Sequence, residues 1–267
     1  MIFHCRLSAA LSSGLVLAAL LWTGASAEDS ERIGHFATAD GDLGFVLDLS
    51  GETPRQRFDN SPEILVLKPV AAARGDTIYK GSGGEQVLRM NPYGGLTYFA
   101  PGDQMGVPMV RMGDGQALEP KMRSSAEVLG LGVLIEQQML LNHNLTVTVT
   151  TPRIDELKQQ RALNTLGDAI ENAQIALDRI TASPAGANDL LGALSKIDFN
   201  FARTPGVLLR DGVLSIRCTP SLQLSGRPSS FEIANEIQSA IREQSIIPAG
   251  IATERAPKPQ HSYDYRW

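Results

Sequence analysis

Residues 33–49 read IGHFATADGDLGFVLDL, two apolar stretches on either side of an Asp-Gly pair. An Asp-Gly pair in such a setting is the strongest short-range signal for a β-hairpin. A two-residue turn at Asp40-Gly41 places Phe36 opposite Phe45, which is a favourable cross-strand pair. The N-terminal part of the chain is therefore predicted to begin with two antiparallel strands.

Short apolar runs separated by Gly- and Pro-containing turns continue to about Arg111. Ile64–Leu67 is continuously apolar, as is typical of a strand covered on both faces. Residues 77–80, 86–90 and 96–99 form further predicted strands. Gly81-Ser82-Gly83-Gly84 lacks the Lys-Ser/Thr end of a phosphate-binding loop and is predicted to be a hairpin loop. Strands at this spacing indicate an antiparallel β meander or small barrel.

The pattern changes after residues 101–120, which combine Gly, Pro and Met with little periodicity and indicate a boundary. Ser124-Ser125-Ala126-Glu127 matches the capping box that opens a helix, here predicted to reach about Leu141. Leu145–Thr150 alternates Thr with apolar residues and is predicted to be a strand. The C-terminal half is thus expected to mix helices with strands.

The clearest single element is an amphipathic helix predicted over residues 152–182. Thr151 and Pro152 suit its N-cap and first turn. Its apolar stripe repeats at intervals of three or four residues, through Leu163, Leu166, Ile170, Ala173, Leu177 and Ile180. Polar residues, including Glu171, Gln174 and Asp178, occupy the opposite side and suit water. We expect the stripe to pack on a sheet within the same chain, because it is too short for a self-sufficient coiled coil.

A second Asp-Gly pair, Asp211-Gly212, predicts a hairpin in which Leu209 lies opposite Leu214. Cys218 extends the same apolar row, so it is expected to be buried and unreactive. The alternative, Cys218 as a nucleophile with His143 as its base, requires an accessible thiol. Further helices are predicted near residues 188–197 and over 229–244.

The first 27 residues have the pattern of a secretory signal peptide. Arg6 precedes the uncharged run Leu7–Trp22, and Ala25-Ser26-Ala27 supplies the small residues that signal peptidase recognises. Cleavage is expected between Ala27 and Glu28, which predicts a periplasmic or secreted protein. The alternative is an N-terminal membrane anchor, but the run is short for a membrane span.

Together these patterns predict an α+β protein: an N-terminal antiparallel β meander or small barrel, then a C-terminal α+β half with one long amphipathic helix. The predicted divisions are a signal peptide (1–27), a β-rich domain (28–112), an α+β domain (120–245) and a Pro-rich mobile tail (246–267). Aromatic residues alternate at the end of that tail, at Tyr263, Tyr265 and Trp267.

Charge and composition exclude some functional classes. Arg6 is the only one of the 24 Lys and Arg residues within residues 1–27, so 23 remain against 29 acidic residues, a formal charge of −6. A nucleic-acid-binding protein would normally be basic. No apolar run after the signal reaches membrane-spanning length. The expected partner is an unknown envelope protein, and the expected state is a monomer.

The sequence contains no motif that assigns an activity, so the catalytic residues remain unknown. Without the signal it has three histidines, at 35, 143 and 261, and neither H-E-x-x-H nor C-x-x-C, so neither a metal nor a cofactor is predicted. Serine-hydrolase motifs such as G-x-S-x-G are also missing. A hydrolase site would have to combine scattered residues such as His35, His143, Asp48 and Asp59.

Residues 44–48, 57–67 and 74–80, together with Leu88-Arg89 and Gly94-Gly95-Leu96-Thr97, resemble a family of exported Gram-negative bacterial proteins defined only as a domain of unknown function. The resemblance covers mainly residues 44–99, and its motifs are structural. It implies a periplasmic or secreted setting and supplies no catalytic residues. Two hypotheses stay open: a non-enzymatic interaction or structural module of the envelope, and a periplasmic hydrolase.

Overall fold

The computed structural model describes residues 32–154 and 159–246. Two halves are distinguished below. The barrel half contains nine strands: β1 (Ile33–Ala37), β2 (Gly44–Asp48), β3 (Arg55–Phe58), β4 (Leu65–Val66), β5 (Lys68–Ala71), β6 (Thr77–Lys80), β7 (Gln86–Met90), β8 (Leu96–Tyr98) and β9 (Val107–Asp114). The helical half follows it and carries a second, smaller sheet.

The nine strands form one antiparallel sheet that is nearly closed into a barrel, which confirms the predicted small barrel. The strand order runs from β4 through β3, β2, β1, β9, β8, β7 and β6 to β5. The two ends of this sheet, β4 and β5, are joined by Leu67 alone. The continuous segment from β4 through Leu67 to β5 therefore pairs first with β3 and then with β6. Because β4 and β5 are the two ends of the sheet, the wall of the barrel is split at Leu67.

The first hairpin has the predicted register, with Phe36 opposite Phe45. Its turn is wider than predicted. The Thr38 amide donates to the Leu43 carbonyl at 2.9 Å, and the Gly41 amide donates to the Thr38 carbonyl at 3.0 Å. The loop thus has four residues, 39–42, and Gly41 adopts a positive φ of 80° that glycine tolerates without strain.

The longest strand of the barrel, β9, lies in the segment that the sequence indicated as an irregular boundary. It pairs with both β1 and β8 and so completes the sheet. Seven of its eight residues are exposed and Met109 alone is buried, so the strand lacks the alternation that a half-buried strand shows. Strands β3 and β5 were also not predicted, because each is short and polar or contains proline.

The interior of the barrel is filled by side chains, most of them aromatic or aliphatic. Its buried members are Phe36, Phe45, Leu47, Leu67, Tyr79, Val87, Leu88, Leu96 and Met109. Phe58 and Tyr98 pack against this core and are only half-buried. Ile64 is also buried, but it packs outside the barrel against Leu118 and Leu224. The predicted strand Ile64–Leu67 is thus reduced to two residues, with buried residues on each side.

Among the described residues, the helical half contains four α-helices: α1 (Ser125–His143), α2 (Gln160–Thr181), α3 (Pro184–Ala193) and α4 (Ser230–Ile246). Its sheet has the order β10 (Thr148–Thr150), β11 (Lys196–Phe201), β13 (Val213–Cys218) and β12 (Gly206–Arg210). β10, β11 and β13 are parallel, whereas β12 is antiparallel to β13. β11 lies in the middle of this sheet and was not predicted, since its start had been assigned to a helix.

The long helix α2 begins later than predicted, at Gln160, and neither Thr151 nor Pro152 belongs to it. Every residue of its apolar stripe is buried, as expected. The opposite side is less exposed than predicted: Glu171 and Gln174 are half-buried, whereas Asp178 is exposed. The helix packs mainly against α1 and α4 and reaches the sheet through β13, so the predicted packing on the sheet is only partly observed.

The capping box of α1 is present, with the Glu127 amide donating to Ser124 Oγ at 3.3 Å and Glu127 Oε2 accepting from the Ser124 amide at 2.6 Å. The second hairpin, β12–β13, also has its predicted register, with Leu209 opposite Leu214. Asp211 and Gly212 both have positive φ, as a tight two-residue turn requires.

Residues 115–124, between β9 and α1, are called the linker, and polar side chains of the barrel bind it. Asp48 and Arg55 face each other across β2 and β3, and both bind the backbone of Leu118. Asp48 Oδ2 accepts from the Leu118 amide at 2.8 Å, and Arg55 Nη1 donates to the Leu118 carbonyl at 2.6 Å. The linker is thereby held against the outer wall of the barrel.

Candidate functional site

An open groove of about 1860 Å³ runs along the junction between the barrel half and the helical half. It lies at the split in the barrel wall, because Leu65–Pro69 and the β6–β7 loop both line it. The opposite wall comes from α2, from α4 and from the segment that precedes α4. Concave sites at such junctions are where proteins most often bind ligands.

The segment Arg227–Ser230 packs against the split in the barrel wall and contacts residues on both sides of it. Arg227 Nη2 donates to the Ile64 carbonyl at 2.9 Å, and the Ser230 amide donates to Glu63 Oε1 at 2.8 Å. Ser229 Oγ lies 2.9 Å from Ser82 Oγ on the β6–β7 loop. These contacts fix the helical half against both edges of the opening.

A buried ionic network on α2 and the linker binds this segment through Arg227. Asp168 on α2 lies 3.2 Å from Arg123 Nη2 and 3.5 Å from Arg227 Nε. Arg123 also binds Glu171 at 2.8 Å, and Glu171 in turn binds Lys121 at 3.0 Å. Asp168, the buried acidic residue on the polar side of α2, thus helps to hold Arg227 at the wall of the groove.

The same helix binds the groove segment at a second point, where Asn172 Nδ2 donates to the Pro228 carbonyl at 2.9 Å. Asn172 is almost completely buried. A buried amide that satisfies a backbone carbonyl stabilises an irregular segment, since that carbonyl has no partner in a helix or sheet. Arg227 and Pro228 are therefore both held by α2.

The β6–β7 loop contributes a titratable group to the groove. Glu85 folds over the loop so closely that a side chain at Gly81 would collide with its carboxylate. Burial raises the pKa of Glu85, and the nearby charge of Glu232 raises it further, although hydrogen bonds from its own amide and from Gly83 oppose this. Its Oε2 atom is buried without a hydrogen-bond partner among the described residues.

Glu232 lies in the first turn of α4 and is held by a capping box with Ser229. Glu232 Oε2 accepts from the Ser229 amide at 2.8 Å and from Ser229 Oγ at 3.1 Å. The Glu232 amide donates back to Ser229 Oγ at 3.2 Å. The S-x-x-E pattern at 229–232 is the sequence signal for this helix start.

The barrel contributes an aromatic lining to the groove. The rings of Phe58 and Tyr98 meet edge to face at 5.6 Å, and both contact Phe45 in the core. Burial raises the pKa of Tyr98, while the positive charge of Arg179 from across the groove lowers it. Apolar side chains of the core, including Leu67 and Val87, reach the groove beside these rings.

Gln56 on β3 is fully buried, and neither Oε1 nor Nε2 of its side chain has a hydrogen-bond partner among the described residues. Burying an amide without a partner costs about 1–3 kcal/mol in proteins. In sequence it stands two residues before Phe58, which packs against the barrel core. That spacing was the available signal that Gln56 faces inward.

The four residues considered for a hydrolase site are only partly brought together. His35 Nε2 lies 2.9 Å from Asp59 Oδ2 on the outside of the barrel, and neither residue lines the groove. Asp48 is buried and binds the linker; burial opposes its ionisation, but hydrogen bonds from Ser50 and Leu118 outweigh this and lower its pKa. His143 ends α1 in the helical half, where its charge acts on Asp178.

Cys218 is fully buried in the core of the helical half, as its register predicted. Burial raises its pKa to about 12, although the charge of Arg227 acts in the opposite direction. The thiol therefore stays protonated at neutral pH, and this favours the structural interpretation over a nucleophile.

Other predicted features lie outside the described residues. They are the signal peptide with its cleavage point at Ala27 and Glu28, and the tail with Tyr263, Tyr265 and Trp267. Within residues 32–154 and 159–246, no helix is both long and apolar enough to cross a membrane. Over the same ranges, no three His, Cys, Asp or Glu side chains are grouped so that they could hold a metal ion.

Comparison with known families gives one match. A family model described as "Domain of unknown function (DUF4908)" matches residues 16–237, which is most of the chain. No curated protein and no solved structure shows a significant match.

Proposed function

Because the chain belongs to the DUF4908 family, whose domain is of unknown function, we propose its function from its own groove and sequence. We propose a non-enzymatic binding module that is exported to the periplasm of a Gram-negative bacterium or secreted. The observation that carries the proposal is the groove of about 1860 Å³ between the barrel half and the helical half.

The composition of the groove supports binding. The barrel side of the groove combines the apolar and aromatic residues Phe58, Leu65 and Tyr98 with charged ones such as Lys68 and Glu85. Most of the residues that α2 and α4 contribute are polar or charged. Apolar surface with a few placed polar groups is the usual make-up of a site for a small molecule or cofactor. The contacts of Arg227, Ser229 and Ser230 hold the two walls at a fixed separation, so the groove is preformed.

Export is supported by residues 1–27 alone. Expression of the full chain in a Gram-negative host tests it by the intact mass of the protein recovered from the periplasmic fraction. We expect the mass of a chain that begins at Glu28. A protein that retains residues 1–27 and is found in the membrane fraction would contradict cleavage.

The binding role can be tested with a neutral fluorescent apolar probe, N-phenyl-1-naphthylamine. Asn235 on α4 is exposed and lines the groove, so Asn235→Trp would occlude part of it without disturbing the core. Ser239→Trp places the same ring on an exposed part of the same helix that does not line the groove. We expect the wild type and Ser239→Trp to bind the probe, and Asn235→Trp to bind it at least tenfold more weakly. Equal binding by all three, or none by the wild type, would contradict the proposal.

A hydrolase is the second candidate, and the His35–Asp59 pair is the observation that favours it. A carboxylate that orients a histidine is half of a general-base arrangement. If this pair is catalytic, the wild type should hydrolyse an activated ester such as p-nitrophenyl acetate, and His35→Ala should abolish that activity. Equal rates for the wild type and His35→Ala would exclude the pair as a catalytic site.

A further inference from the structure

Gln56 is the buried polar side chain that the fold leaves most conspicuously unsatisfied. It is 0% exposed, and both polar atoms of its amide have no hydrogen-bond partner among the described residues. Buried polar side chains are paired in the large majority of cases, so each exception needs a physical explanation. An amide at this position is explained if it meets a partner that enters from outside the chain.

The pairing of β3 shows where this side chain points. Gln56 lies directly opposite Leu47 on β2 and opposite Leu65 on β4. Residues opposite each other in a sheet share a face, and Leu47 belongs to the barrel core. The amide therefore faces the inside of the barrel, beside the split in its wall.

The groove reaches the immediate neighbours of Gln56. Leu65 and Phe58 both line the groove, and both are only half-buried. A ligand that displaces these two side chains would come into contact with the amide. Tyr98 and Val87 complete this side of the opening, and we call these four residues with Gln56 the barrel mouth.

We infer that the barrel mouth binds a small amphipathic molecule with a neutral hydrogen-bonding head group, such as an amide or a hydroxyl, which pairs with the Gln56 side chain. The apolar chain or ring of this molecule packs against Phe58, Leu65 and Tyr98. The inference rests on the proposed binding role of the groove and specifies its ligand class.

The neutrality of the head group follows from the surroundings of Gln56. An amide presents one acceptor and two donors, so it pairs fully with a group that both donates and accepts. The adjacent side chains Leu47, Leu65 and Phe58 carry no charge and no polar group. An ionised head would lose its hydration there without gaining an opposite charge.

Decanamide tests this inference directly, with decyltrimethylammonium as the charged counterpart of the same chain length. Binding is measured by displacement of N-phenyl-1-naphthylamine and, independently, by the rise in melting temperature. Gln56→Met keeps the volume but removes both polar atoms. Leu96→Met is the matched control, because it conserves volume in the same barrel core, does not line the groove and keeps the amide.

We expect decanamide to bind the wild type and Leu96→Met, and to bind Gln56→Met roughly tenfold more weakly, as the loss of two neutral hydrogen bonds implies. Without ligand, Gln56→Met should melt no lower than the wild type, since it removes a buried unsatisfied amide. This separates lost binding from lost folding.

The possible failures can be told apart. If the probe binds and Asn235→Trp blocks it, but decanamide binds Gln56→Met as well as the wild type, the inference is overturned and the groove remains a binding site. Preference for decyltrimethylammonium over decanamide would also overturn the inference. If the probe does not bind the wild type and decanamide leaves its melting temperature unchanged, both the inference and the proposed function fail.

Discussion

Replacing Asp168 by Asn tests whether the buried ionic network holds the two halves together. The Asp168 side chain is 9% exposed and lies between Arg123 (10%) and Arg227 (4%). Asn keeps the shape but removes the negative charge. Arg123 retains Glu171 at 2.8 Å, whereas Asp168 is the only acidic partner of Arg227 among the described residues. The loss therefore falls mainly on Arg227.

The expected effect is large, because a buried charge is left without a counter-charge. Removing one partner of a buried ion pair destabilises a protein by about 3–5 kcal/mol. A domain of this size loses about 2–4 °C of melting temperature per kcal/mol, so the melting temperature should fall by about 6–20 °C. Arg227 also holds the Ile64 carbonyl at 2.9 Å, so we expect the junction at the groove to loosen first.

Thermal unfolding followed by circular dichroism measures this change, and a urea titration checks it. Asp189→Asn, at an exposed position on α3, is the matched control and should change the melting temperature by less than 2 °C. Adding Arg227→Met to Asp168→Asn should recover part of the loss, because it removes the uncompensated charge. If Asp168→Asn melts within 2 °C of the wild type, the network does not stabilise the fold and the reasoning is wrong.

Three further predictions concern single residues. Cys218 should react slowly with a thiol reagent in the native protein and quickly after unfolding, because its side chain is fully buried; fast native labelling would contradict this. Ile170→Asp should unfold the monomer, since it places an unpaired charge in the core, and a folded monomer obtained from a wild-type dimer would instead identify an interface. Glu85→Gln should raise the melting temperature at neutral pH but not near pH 4. Burial raises the pKa of Glu85, so the fold disfavours the ionised carboxylate. The wild-type protein therefore loses stability as the pH rises above 4.5, the ordinary pKa of a glutamate. An equal effect of Glu85→Gln at both pH values would show that its charge is not responsible.

The parts of the fold that sequence predicted correctly depend on neighbouring residues. The registers of the hairpins at Phe36–Phe45 and Leu209–Leu214 follow from short turns and from alternation of side chains across a strand. The burial of Cys218 follows from the same register. The start of α1 follows from Ser124 and Glu127, whose side chains cap a helix within one turn. Each of these signals is complete within about ten residues.

Features that join distant parts of the chain were decided by the tertiary structure. The sequence of β9 shows little alternation of polar and apolar residues. It forms a strand because β1 and β8 pair with it, one on each side. α2 buries Asp168 on a polar face that looked suited to water, because Arg123 and Arg227 arrive from other segments to neutralise it.

The candidate site follows the same rule. The spacing between Gln56 and Phe58 indicates a shared strand face, but only closure of the barrel placed the Gln56 amide next to a split in the wall and without a partner among the described residues. Local sequence specifies turns, caps and strand faces, because steric and hydrogen-bonding preferences act over a few residues. Which faces meet, and which polar groups remain unpaired where they meet, depends on contacts between segments far apart in the chain, and these exist only once it has folded.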